Sequence, residues 1–154
     1  MTRRSGTDVL VLNGPNLGRL GTREPEIYGH LDLPGLTALV RGWAADLDLH
    51  AEVRQSDDET TLIGWLHEAV DSGADVVLNP AAFTHYSYAL RDAAALVTTA
   101  GLQLIEVHLT NPASRETFRH TSVIGGVATG TIAGFGAHSY RLALAALDVE
   151  RADH

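Results

Sequence analysis

The sequence predicts an α/β fold, a doubly wound parallel sheet of five strands with helices on both faces. Three observations carry this. Short apolar runs recur along the chain, segments with apolar spacings of three and four separate them, and polar turns punctuated by Gly or Pro follow the runs. At 154 residues the chain is the size of one domain. Such a domain buries roughly two thirds of its unfolded surface without disulfide or metal staples.

Val9 to Leu12 make a first, buried strand, and Leu36, Leu39, Val40, Trp43, Ala44 and Leu47 then lay an apolar stripe along the first crossover helix. His50 to Gln55 form a second strand. Ser56 to Glu59 supply the cap and first-turn acids of a helix that carries Leu62, Ile63, Leu66, Ala69 and Val70 and stops at Gly73. Asp75 to Asn79 make a third strand closed by Pro80, and Tyr86 to Thr99 a helix ending before Gly101. Leu102 to Leu109 are the fourth strand, Ser122 to Ile124 a weak fifth, and Gly130 to Leu147 a final helix rich in small residues. Strands alternating with helices pair in parallel through right-handed crossovers, which for five strands in this length gives a flavodoxin-like sheet of order 2-1-3-4-5. Residues 1–154 read as a single domain, with loose tails over about 1–7 and 150–154.

Composition narrows the classes of function. Hydrophobic residues at 45% and charged at 19% describe a soluble globular chain. No apolar run approaches the roughly 18 to 20 residues of a membrane span. The start, MTRRSGTDVL, has no apolar signal region, so the expected location is the cytoplasm. With no cysteine, disulfides, thiol nucleophiles and zinc-thiolate sites are excluded. A net charge of -8 weighs against nucleic acid or an anionic membrane as partner, so a small anionic substrate requires a local cluster of positive groups. Gly14 to Gly18 lacks the Gly-Lys-Ser/Thr ending of a phosphate loop, and Gly134-Phe135-Gly136 lacks the third glycine of a dinucleotide fingerprint. No cofactor is indicated. The eight histidines include no His-Glu-x-x-His pair, so no metal is expected, and no Gly-x-Ser-x-Gly elbow is present.

Ligands of such a sheet bind beyond the carboxyl ends of its strands. Three polar segments fall there: Asn13 to Gly29, Asn79 to His85, and His108 to His120. The first has so many glycines and prolines that it excludes a regular element, and reads either as an active-site lid or as a disordered stretch. Within it lie Asn16, Arg23 and Tyr28. A guanidinium beside a phenol favours the phenolate and makes tyrosine a base. In the second segment Asn79 and His85 flank a turn, and Asp92, two helical turns on, is either a site residue or a surface one. In the third, the strand period of two puts Glu106 and His108 on one face. A carboxylate there holds an imidazole cationic, or the histidine is simply buried and hydrogen-bonded. Arg115 and Arg119, four apart, either share a helical face aimed at an anion or form a solvated basic face.

Together LNGPNLGRLGTREPEIYG, LNPAAFTHYSYALRDA and IEVHLTNPASRETFRH resemble, in order and spacing, the signature segments of type II 3-dehydroquinate dehydratase. The resemblance runs from Val9 through GVATGTIAGFGAHSYRLALAAL. It implies a lyase of the shikimate pathway, flavodoxin-like and free of metal and cofactor, assembled as a dodecamer of four trimers. The implied reaction is the trans elimination of water from 3-dehydroquinate to 3-dehydroshikimate through an enolate. By this resemblance Tyr28 is the base, Arg23 stabilises its phenolate, Asn16 holds a water against the enolate oxygen, and His108, assisted by Glu106, is the acid. Asn79, His85, Asp92 and Arg119 fall on substrate-binding positions, with Asp92 serving the neighbouring subunit, and the backbone at Leu109 and Thr110 takes the carboxylate. The chain departs from the family pattern at Ala81, where glycine is common, and at Phe83, Thr110, Pro112 and Ala113. The turn after Asn79 is therefore expected to sit slightly differently, and Pro112 removes a backbone donor beside the carboxylate position. Both departures bear on affinity rather than mechanism. The resemblance fits a biosynthetic role or catabolism of quinate. The competing class is a flavodoxin-like binding module without catalysis, which wants hydroxyls after strand 1 for a flavin phosphate, or Asp at the end of strand 3 for a phosphoacceptor. This chain has Gly14-Pro15-Asn16-Leu17-Gly18 and Asn79 there.

Overall fold

The structure is a computed structural model that describes residues 6–22, 24, 26 and 30–152. Its sheet has five parallel strands in the order β2-β1-β3-β4-β5, as the alternation of elements predicts. The strands are β1 (Val9–Asn13), β2 (Ala51–Gln55), β3 (Asp75–Asn79), β4 (Leu104–His108) and β5 (Gly130–Ala133). The crossovers are α1 (Leu33–Asp46), α2 (Glu59–Ser72) and α3 (Tyr88–Thr99), and α4 (His138–Ala152) closes the fold. Among the described residues no helix is long and apolar enough to cross a membrane.

Side-chain alternation along the strands divides the core into two layers. Val9, Val11, Val77, Ile105 and Val107 face α1 and α4, where Leu36, Val40, Ala44, Leu144 and Leu147 meet them. Leu10, Leu12, Val76, Leu78 and Leu104 face α2 and α3, against Leu62, Leu66, Leu90 and Ala94. Side-chain caps start the crossover helices. Asp32 accepts from the Gly35 N–H at 2.8 Å, Asp58 from Thr60 at 3.0 Å and Ser87 from Leu90 at 3.1 Å. Each satisfies one of the orphan donors of a first helical turn. Gly73, at φ 74°, ends α2 in the left-handed conformation that glycine adopts without strain.

Two expectations from the sequence are corrected. The fifth strand is Gly130–Ala133, not Ser122 to Ile124, and the last helix begins at His138, not Gly130. The small residues that suggested helix packing instead make an edge strand, in register from Ile105 opposite Gly130 to His108 opposite Ala133. Gly134 and Gly136, at φ 99° and 60°, then turn the chain before α4. Ser122 to Ile124 is irregular, with the Val123 N–H donating to the Thr84 carbonyl at 2.7 Å. The loose tail expected from about residue 150 does not begin there either. Helix α4 reaches Ala152, and Arg151 donates to Asp75 Oδ2 at 3.1 Å and to the Asp8 carbonyl at 2.9 Å. The side-chain carboxylates of Asp75 and Asp8 accept the backbone N–H groups of Gln103 and His50 respectively, tying the amino ends of the strands together.

Candidate active site

The carboxyl ends of β1, β3 and β4 open on a cleft lined by residues of all three segments that follow these strands. It lies where the strand order reverses, the crevice expected of a doubly wound sheet. After β1 the chain turns tightly over Gly14, whose N–H donates to the Asn79 carbonyl at 2.8 Å. A Cβ there would lie 2.7 Å from the Pro80 carbonyl oxygen, so only glycine allows this approach. Asn16 follows at φ 70°, a left-handed position that asparagine tolerates, with its N–H held by Asp57 at 2.9 Å. Contrary to the expectation of no regular element in this loop, a short 3-10 turn occupies Leu17–Arg19.

After β3, Asn79 Oδ1 accepts from the Ala81 N–H at 3.1 Å and starts a 3-10 turn over Ala81–His85. Ala81 keeps the left-handed backbone, φ 50°, that the more usual glycine would supply, so the turn persists at a conformational cost of about 1 kcal/mol. Ala81→Gly is therefore expected to raise the unfolding midpoint by a few degrees in a thermal melt. An unchanged or lower midpoint would place the strain elsewhere. The Asn79 amide is anchored from below. Its Nδ2 donates at 2.8 Å to the buried Tyr140 hydroxyl, which donates in turn at 2.6 Å to Asn13 Oδ1. Burial pushes the Tyr140 phenol well above its ordinary pKa, so it stays a neutral donor.

After β4, His108 faces the cleft with Glu106 behind it. Glu106 is fully buried, and its Oε2 accepts from His108 Nε2 at 2.5 Å. With Nε2 committed to the carboxylate, Nδ1 is the ring nitrogen left for a ligand. Thr84 and Ser122 also donate to this carboxylate. Burial alone would push the Glu106 carboxyl up. The bonds from His108, Thr84 and Ser122, with the His108 charge, outweigh it and hold the carboxyl below its ordinary value of 4.5. A carboxyl depressed in the folded state stabilises the fold above its unfolded pKa, and that contribution disappears as pH falls through the folded value. Wild type is thus expected to lose stability below about pH 4.5, and Glu106→Gln to lose less over the same range, read by urea unfolding across pH. Parallel slopes in the two proteins would assign the acid sensitivity to other groups.

Positive groups gather around the cleft although the chain is acidic overall. Arg115 and Arg119 line it beside His85 and His108. They do not share one helix, as the spacing of four suggested. Arg115 sits between the 3-10 turns Pro112–Ser114 and Thr117–His120, and Arg119 lies within the second. Arg115 Nη1 donates to Thr110 Oγ1 at 3.3 Å, and Arg119 donates to Glu116 at 3.1 Å with its guanidinium 4.6 Å from the Phe118 ring centroid. His85 Nδ1 donates to the Thr121 carbonyl at 2.8 Å, which fixes the orientation of its ring.

The Dehydroquinase class II family matches residues 7–148 of this sequence. The chain belongs to that family. A 3-dehydroquinate dehydratase of Salinispora tropica is 57% identical over 136 residues, spanning 88% of this chain and 93% of the relative. One of Kineococcus radiotolerans is 50% identical over 136 residues, spanning 88% and 91%. The crystal structure of the type II dehydroquinase from Propionibacterium acnes superposes with a TM-score of 0.89 at 48% identity, covering 94% of this chain and 97% of that one.

Of the residues that the class II dehydroquinase resemblance singles out, Asn16, Asn79, His85, His108, Leu109, Thr110 and Arg119 line the one cleft. Glu106 lies beneath His108. Asp92 is not among the residues that line the cleft. It is exposed on α3 and accepts from Arg91 at 2.9 Å. Arg23 and Tyr28 lie outside the described residues. Sequence reasoning named Arg115 only as a partner of Arg119, and did not name Pro15, Leu17 or Ala82 as cleft residues. Asn13 was placed only at the end of the first strand, and the supporting contacts of Thr84, Ser122 and Tyr140 are announced by no motif.

Proposed function

We propose that this class II dehydroquinase is a 3-dehydroquinate dehydratase, a lyase that removes water from 3-dehydroquinate to give 3-dehydroshikimate. The observation that carries the reading is the buried Glu106 carboxylate paired with His108 at the rim of a cleft lined by Arg115 and Arg119. The arginines suit the carboxylate of an anionic substrate, and the imidazole can deliver a proton.

Tyr28, activated by Arg23, takes the proton from the carbon beside the ketone, and the electron pair moves to the ketone oxygen as an enolate. A water held by Asn16 stabilises that charge. The enolate collapses, the bond to the departing hydroxyl breaks in the trans sense, and that oxygen takes a proton from His108 and leaves as water. The cycle closes when Tyr28 releases its proton to solvent and His108 takes one back, so the net loss from the substrate is one proton and one hydroxide, a water. Glu106 compensates the imidazolium charge before transfer. Asn79, His85, Arg119 and the backbone at Leu109 and Thr110 bind the substrate. Asp92 reaches a neighbouring subunit's site in a dodecamer built as a tetramer of trimers. Residues 1–154 act as one catalytic domain, in the cytoplasm and in the shikimate route to aromatic amino acids.

Incubating the purified protein with 3-dehydroquinate and following the ultraviolet absorbance of the conjugated enone tests the activity. Light scattering on the same sample tests the assembly. No absorbance change from folded protein would refute the activity, and a monomer would refute the shared site.

A further inference from the structure

The carboxylate of Glu106 is surrounded by more donors than His108 alone. Oε2 accepts from Thr84 Oγ1 and from His108 Nε2, both at 2.5 Å, and Oε1 accepts from Ser122 Oγ at 2.9 Å. The direction of the hydroxyl protons follows by counting. Ser122 Oγ accepts from the N–H groups of Ile124 at 3.1 Å and Gly125 at 2.9 Å, which occupies both lone pairs. Its single proton is therefore free to point to Glu106. Thr84 Oγ1 lies 2.8 Å from Ser122 Oγ, but that oxygen has no lone pair left to offer, so the Thr84 proton also goes to Glu106. Thr84 and His108 take both lone pairs of Oε2, so a proton placed there would have to displace one of them, and protonating Oε1 would weaken the acceptor that all three donors share.

We propose that Thr84 and Ser122 are positioning residues that hold Glu106 as a carboxylate, so that the proton shared in the dyad stays on His108, where the substrate can take it. The inference rests on the dehydratase reading with His108 as acid. Burial suits Thr84 to this role. It is fully inaccessible, and its carbonyl accepts from the Val123 N–H, which locks the turn of His85 to the segment of Ser122. Other groups facing Glu106 do not supply the same effect. His108 is the titratable group in contact with it. His85, beside Thr84, is bonded to the Thr121 carbonyl, and Arg115 and Arg119 line the cleft that His108 faces. The flanking strands present Leu78 and Thr131, and α2 and α3 present apolar residues.

Thr84→Val keeps the shape and removes the donor, whereas Thr84→Ser keeps the donor. Two readouts separate a positioning role from a merely structural one. The first is the pH profile of kcat with 3-dehydroquinate. The second is the carbon-13 titration of the Glu106 carboxyl in labelled protein, assigned with Glu106→Gln, which requires no turnover. In Thr84→Val the carboxyl is expected to titrate about one pH unit higher, the equivalent of one lost charge-assisted hydrogen bond. The acidic limb of kcat moves up with it, kcat falls while KM holds, and Thr84→Ser restores both. Should Thr84→Val not fold, Ser122→Ala, on an exposed segment, reads the same carboxyl. A Glu106 titration unmoved in folded protein, or no recovery in Thr84→Ser, overturns the proposal. Absence of turnover in wild type would instead refute the dehydratase reading, while the carboxyl titration still decides the role of the two hydroxyls.

Discussion

His108→Ala is expected to lower kcat by about 10²- to 10⁴-fold, the usual contribution of a positioned general acid, with KM nearly unchanged. Hydroxide is a poor leaving group, so losing its proton donor should impair the breaking of the carbon–oxygen bond more than binding, which the proposed mechanism assigns to Arg119, Asn79 and His85. The variant should remain folded, because His108 sits at the rim, with 12% of its side chain exposed, and Thr84 and Ser122 still satisfy Glu106. Since His108 and Glu106 act as one unit, adding Glu106→Gln to His108→Ala should cost little further rate, although Glu106→Gln alone costs much. Steady-state kinetics on the three variants, with circular dichroism to confirm folding, checks this. Turnover near wild type in folded His108→Ala would move the acid to another residue, and additive losses would deny the coupling.

Tyr140→Phe is expected to produce the largest loss of stability from the removal of one atom. The ring remains buried in the core layer that includes Val77, Val107 and Leu144, so little apolar contact changes. The hydroxyl, however, both donates to Asn13 Oδ1 and accepts from Asn79 Nδ2, and both asparagines are buried. Two buried polar groups lose their partner at once, a penalty of about 2 kcal/mol. The melting temperature should fall by roughly 5 °C for a domain of this size. Because Asn79 then loses the anchor that orients its amide under the cleft, KM should rise as well. Thermal unfolding and substrate titration of the one variant measure both effects. A protein with unchanged melting temperature and KM would show that the hydroxyl is spare.

These two cases also show what was legible in the sequence. Strands β1 to β4 and helices α1 to α3 announce themselves through continuous apolar runs, three-and-four spacings and caps such as Asp58 and Ser87, all local signals. The pairing of Glu106 with His108 is local too, because a period of two along one strand puts both on one face. Strand β5 was not legible. It has four residues with glycine and alanine at its ends, lies at an edge, and owes its conformation to β4 rather than to its own composition. Contacts that support the site from behind were hidden for a different reason. Tyr140 meets Asn13 across 127 residues, and Thr84 meets Glu106 across 22, so only the closed fold brings them together. The segments of Asn16, Asn79 and His108 were legible because the topology gathers strand ends at one edge, whatever their separation in sequence.

Helix α4 reaches both ends of the central strands. Tyr140, near its start, stands under the cleft, while Arg151, near its end, grips Asp8 and Asp75 where β1 and β3 begin. Strands of five residues separate those ends by about 16 Å. A handle fused beyond Ala152, for coupling to a bead, a sensor chip or a second enzyme, would therefore start from the end of the strands opposite the cleft. Arg151 would act as a strain relief, taking the pull of the tether into the sheet before it reached the asparagines that Tyr140 holds.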